Sequence, residues 1–142
     1  MRPIYESHED RANESQVASR IALIKNCEFK KLPMSYYIDW VFLRAGKPVA
    51  IAEVKCRKNP SNQYPTLMLS LAKWMHGKQL ANELSVPFLV VVRWEDGIFL
   101  HLVGENSNVS HGFGGRTDRN DDSDVEPVVY IPVNQFKKVD YV

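Results

Sequence analysis

The chain has almost none of the parts from which a disulfide scaffold or a zinc module is built. Its 142 residues hold two cysteines, Cys27 and Cys56, in unrelated contexts. That excludes a multi-bridge framework and a four-cysteine zinc site, and it suits a reducing compartment. Both cysteines read as small buried hydrophobes. Long hydrophobic runs are missing too, since no stretch approaches the roughly 20 apolar residues of a membrane span. The first residues, MRPIYESHEDR, turn polar at once, so no secretory leader is visible. A cytoplasmic protein without membrane attachment is expected. The four histidines (His8, His76, His101, His111) have no metal-ligand spacing; His101, between Leu100 and Leu102, reads as a half-exposed strand residue, and no internal repeat is visible.

Strong net charge is also absent, at +1, but the charges are unevenly spread. Residues 20 to 58 carry nine Lys or Arg against three acids, whereas residues 95 to 126 carry eight acids against two arginines. The first segment can focus a polyanion, although a solvated surface would look the same. The length suits one domain spanning residues 1–142 with one core.

What is present is strong local periodicity. Residues 7 to 25 read as a helix, with Ser7 as a candidate N-cap and Val17, Ala18, Ile21 and Ile24 on one face. CEFKKL is a short strand. YYIDWVFLR and KPVAIAEVKC are strands joined by the tight-turn signal AGK, hence an antiparallel hairpin. Both faces of these strands are mostly apolar, so the sheet needs cover on both sides. RKNPSNQYP is a loop. Residues 66 to 85 read as a second helix, capped by Thr66 and weakened by Gly77. FLVVVRW and IFLHLV form another hairpin around EDG. Residues 104 to 126, rich in Gly, Asn, Ser and Asp, read as a flexible acidic loop. PVVYIPV closes the chain as an edge strand stopped by Pro132. The order α-β-β-β-α-β-β predicts an α/β fold with one central mixed sheet flanked by helices.

Three carboxylates and a lysine stand out against this pattern. Glu53 and Lys55 share one face of an apolar strand, because side chains alternate. Asp39 falls roughly opposite them across the hairpin. Glu14 lies three, four and seven residues before Val17, Ala18 and Ile21, so it should point toward the sheet. Buried charges are costly unless they are paired, hydrogen-bonded or bound to a metal. A structural ion pair on an edge strand is the bland account of Glu53 and Lys55, but Ile51, Ala52 and Val54 argue for a central strand. Hard oxygen ligands suit Mg²⁺ or Mn²⁺, which neutralises a phosphate and acidifies a bound water. A lysine beside them could orient or deprotonate that water.

The stretch IDWVFLRAGKPVAIAEVK, residues 38 to 55, resembles the PD-(D/E)XK nuclease superfamily. Asp39, Glu53 and Lys55 match the motif, Glu14 matches the acid that many members carry on the first core helix, and Ile38 replaces the proline. The pattern looks closest to small phage-type and Holliday-junction-resolvase-like members. The resemblance implies a restriction-endonuclease-like core and metal-dependent cleavage of DNA. It places the ion among Asp39, Glu53 and the backbone carbonyl of Val54, with Glu14 as a further ligand and Lys55 serving the water. The second core helix of such proteins often supplies a further Lys or Gln, for which Lys73 and Gln79 are candidates. Arg57, Lys58 and Arg116 are candidate DNA contacts. A homodimer is a further expectation, because one site cuts two strands in concert only by pairing. The alternative is a catalytically silent DNA-binding or assembly module on the same fold. DRNDDSD lacks the glycine and the final glutamate of a calcium loop, and GFGGR has neither the strand nor the helix of a phosphate-binding loop.

Overall fold

The structure is a computed structural model that describes residues 8–114 and 125–140. In chain order its elements are α1 (His8–Ile24), β1 (Glu28–Lys31), β2 (Trp40–Arg44), β3 (Lys47–Cys56), β4 (Thr66–Ser70), α2 (Leu71–Leu84), β5 (Phe88–Trp94), β6 (Gly97–Val103), β7 (Ser110–Gly114), β8 (Glu126–Pro132) and β9 (Lys137–Asp140). A six-stranded sheet runs β1-β2-β3-β5-β6-β9. Only β3 and β5 are parallel, joined by a crossover through β4 and α2. The result is the mixed sheet with flanking helices that the sequence pattern predicts.

The β2–β3 hairpin turns where AGK predicts. Ala45 and Gly46 both take positive φ, 52° and 75°. Two such residues make the turn whose twist matches paired strands. Strand alternation then feeds two cores. On one face Val17, Ala18, Ile21 and Ala22 of α1 pack on Trp40, Phe42, Ala52, Val54 and Val91. On the other, Trp74 and Ala81 of α2 join Val41, Ile51, Val90 and Val92. Gly77 is not a weak point of α2: a Cβ there would run into the Phe88 ring, so the glycine lets helix and sheet approach closely.

Three expectations are corrected. The second helix starts at Leu71, not at residue 66, and Ser70 caps it by accepting a bond from the Lys73 amide. Residues 66 to 70 form β4, whose Leu67 and Leu69 alternate into the core. TLMLS fits both periods, and β8 decides between them by pairing with it. Second, PVVYIPV is the centre of a three-stranded sheet, β4-β8-β7, rather than an edge. Its partner β7 lies inside the stretch expected to be loop. The edge of the main sheet is β9, on β6. Third, His101 is buried, not half-exposed, its ring held between the Gln135 carbonyl and the Ser107 hydroxyl. Ser7 lies outside the described residues.

Candidate active site

The site arises where the strands of the hairpin stop matching in length. The last β2 residue on the ladder, Trp40, sits opposite Ala52. Strand β3 continues to Cys56 with β5 as its partner. A notch therefore opens beside residues 53 to 56. Asp39 stands at its lip, its carbonyl accepting a 2.7 Å bond from the Leu32 amide. Glu53 lies inside, 2% exposed, because its parity matches Ile51 and points it to the α2 face.

Lys73, in the first turn of α2, closes the notch. Its Nζ donates to Glu53 Oε1 at 2.7 Å and lies 3.7 Å from Asp39 Oδ2. Lys31 approaches from the other side, its Nζ donating to Asp39 Oδ1 at 3.2 Å. The second Glu53 oxygen, Oε2, is buried and has no hydrogen-bond partner. A buried acceptor left unsatisfied costs about 1–3 kcal/mol, and more when charged.

Electrostatics follow from that crowding. Burial pushes the Glu53 carboxyl up to about 7, and Asp39 adds to the shift against the pull of Lys73 and Lys55. Burial brings the Lys55 amine down to about 8, with Arg57 and Lys73 helping and Glu53 opposing. Burial would raise the Asp39 carboxyl too, but Lys73 and Lys31 outweigh it and hold Asp39 low. At Lys73, burial favours the neutral amine, and Glu53 and Asp39 override it, so its proton is held more tightly than usual.

The donor set fits a hard divalent cation. Asp39 and Glu53 supply carboxylate oxygens, and Glu53 Oε2 has no other partner. The Ile51 and Arg57 amides both bond to the β5 side, to Pro87 and Arg93. Alternation therefore turns the Val54 carbonyl to the opposite side, where the β2 ladder has ended. Carboxylate and carbonyl oxygens are the ligands Mg²⁺ and Mn²⁺ prefer.

Other expected site residues fall differently. Glu14 sits on α1, the helix packed on the far face; its charge is felt by Lys73 and Arg57. Among the described residues, no three His, Cys, Asp or Glu side chains gather as one ligand cluster. Arg57 and Lys58 are exposed just past the end of β3. Gln79 is not brought to the notch; it lines a groove with Trp74, Lys78 and His111. Arg116 lies outside the described residues. Sequence reading missed Lys31. Nothing local marks it among its neighbouring lysines, and only the pairing of Lys31 with Trp40 brings it to Asp39.

A profile of the family described as "phage putative PDDEXK endonuclease" matches residues 1–139. The chain belongs to this family. Its fold is also that of a solved structure, Hjc from Archaeoglobus fulgidus, a Holliday junction resolvase from an archaeal hyperthermophile. That likeness has a TM-score of 0.51 at 12% identity, over 64% of this chain and 75% of Hjc. No curated protein matches the sequence. No described helix is long and apolar enough to cross a membrane.

Proposed function

We propose that the chain is a divalent-metal-dependent DNA endonuclease working at the Asp39–Glu53–Lys55 notch. The observation that carries this reading is the buried Glu53 carboxylate, with one oxygen on Lys73 and the other without a partner, facing Asp39. Asp39, Glu53 and the Val54 carbonyl would hold a Mg²⁺ or Mn²⁺ ion, and Glu14 would add negative charge from α1. When bound, the ion supplies charge against the phosphate and acidifies a water.

The chain's own groups do the rest. The Lys55 amine, brought down to about 8, is poised near neutral pH to take the proton of the attacking water. The water oxygen bonds to phosphorus as one phosphorus–oxygen ester bond breaks, and the leaving oxygen takes up a proton. Lys31 and Lys73 stand where they would meet non-bridging phosphate oxygens. Arg57, Lys58 and Arg116 are proposed to follow the DNA backbone. Concerted cleavage of two strands would require a homodimer.

A second reading, a silent DNA-binding or assembly module, is favoured by one observation. Lys73 already neutralises Glu53 and Asp39 without any ion. Titrating Mg²⁺ and Mn²⁺ against labelled linear, branched and single-stranded DNA separates the readings. The endonuclease reading expects cleavage by wild type and none by Asp39→Ala. Equal behaviour of the two proteins removes the site. Equal metal affinity in wild type and Glu53→Ala, by calorimetry, removes the ligand role.

A further inference from the structure

The notch has an aromatic rim that metal and phosphate chemistry leave unused. Before Asp39 the chain makes one 3-10 turn, Met34–Tyr36, and exits through Tyr37. Tyr37 takes φ 65°, the left-handed region. A bulky residue there is an outlier that costs free energy and persists only where its surroundings hold it. Here the holders are its amide, bonded to the Met34 carbonyl at 3.0 Å, and Ile38, which is buried in the core. The Tyr37 ring lies on that of His76 of α2. The rings stack with centroids 4.1 Å apart and planes 5° from parallel. Both residues are exposed.

Their position ties the stack to the site. The loop and α2 meet at Asp39–Lys73 and at Tyr37–His76. His76 is three residues past Lys73, roughly 4.5 Å along the helix axis. The ring pair is therefore about one helical turn from the cations that would meet the phosphate. A stacking platform beside a cationic site is how proteins hold bases freed from a duplex. Core packing does not explain the pair, since its rings are open to solvent.

We propose that Tyr37 and His76 form a stacking ledge for one unpaired nucleobase next to the phosphate to be cut. The preferred DNA then carries an unpaired or frayed base at the cleavage point rather than a continuous duplex. This rests on the endonuclease reading of the notch.

The test uses the whole chain in chelator, at fixed salt, so that nothing is cut. DNA carrying 2-aminopurine at one unpaired position is compared with fully paired DNA. Wild type should bind the unpaired form about tenfold more tightly and quench its fluorescence by stacking. Tyr37→Gly, which suits the left-handed backbone and preserves the fold, should erase both effects, as should His76→Ala. Tyr37→Phe should retain them. A wild type without the preference, or a Tyr37→Gly variant that keeps it, overturns the ledge. If that protein still cuts DNA with Mg²⁺ and Asp39→Ala does not, the endonuclease reading survives alone. No binding to either DNA and no cleavage would overturn both.

Discussion

The two faces of the main sheet are built from the same strands and do opposite things. Toward α1, residues Trp40, Phe42, Ala52, Val54 and Val91 form an uninterrupted apolar layer. Toward α2, the layer of Ile51, Val90 and Val92 gives way to Glu53, Lys55, Lys73 and, at the lip, Asp39. The first face is apolar, and the one polar atom Trp40 brings to it, Nε1, is buried without a hydrogen-bond partner. The second accepts a buried carboxylate with one oxygen lacking a partner. Sites that break a packing rule are where function is expected, and here Asp39, Glu53 and Lys73 gather charge at one end of the α2 face.

Four predictions press on that contrast, in descending size. Asp39→Ala should lower DNA cleavage about 10³-fold or more, equivalent to roughly 4 kcal/mol in the barrier. Its circular dichroism should stay native, because Asp39 stands at the lip and outside the core. On the opposite face, Phe42→Ala should cost about 3–4 kcal/mol in urea unfolding, while metal affinity of the folded fraction stays near wild type. Similar outcomes for both variants would dissolve the distinction between the faces.

The third prediction concerns pH. The Glu53 carboxyl, ordinarily at 4.5, is pushed up to about 7 in the fold. The folded state therefore binds the proton more tightly than the unfolded chain. Stability from this group is complete below about 4.5 and is lost as pH rises through 7. Without metal, Glu53→Gln should be more stable than wild type at pH 8 by about 1–3 kcal/mol and show no advantage at pH 4. Thermal melts at the two pH values check this. Saturating Mg²⁺ should shrink the advantage, because the ion stabilises wild type by mass action. The smallest effect is expected at Lys73. Its ammonium occupies the oxygens a cation would use, so Lys73→Met should tighten metal binding by about tenfold, roughly 1.4 kcal/mol, in calorimetry. Weaker binding would show that Lys73 supports the ligands instead of competing for them.

How much was legible follows contact distance along the chain. The β2–β3 hairpin is local, joined by two residues with positive φ, and its alternation put Glu53 and Lys55 on one face. That part was readable because strand period and turn chemistry are written in adjacent residues. Strand β4 reads locally as the start of a helix because its partner β8 lies about sixty residues away. Strands β7 (SHGFG) and β9 (KKVD) are hidden by being short and poor in the alternating apolar residues that mark a strand. The burial of His101 is not visible locally because its satisfying groups, Gln135 and Ser107, lie outside its strand.

At the site the same division holds. The sequence alone determined that a carboxylate and a lysine share one face of a buried strand, with an aspartate across a tight turn. It could do so because alternation and turn geometry act over a few residues. Only the tertiary structure decided that β2 ends one residue short of Glu53, that Lys73 rather than Gln79 reaches the carboxylates, that Lys31 arrives from β1 and that Tyr37 stacks on His76. Those outcomes depend on how a helix and an edge strand dock on the sheet. Packing across the whole chain sets that docking, and no local period encodes it.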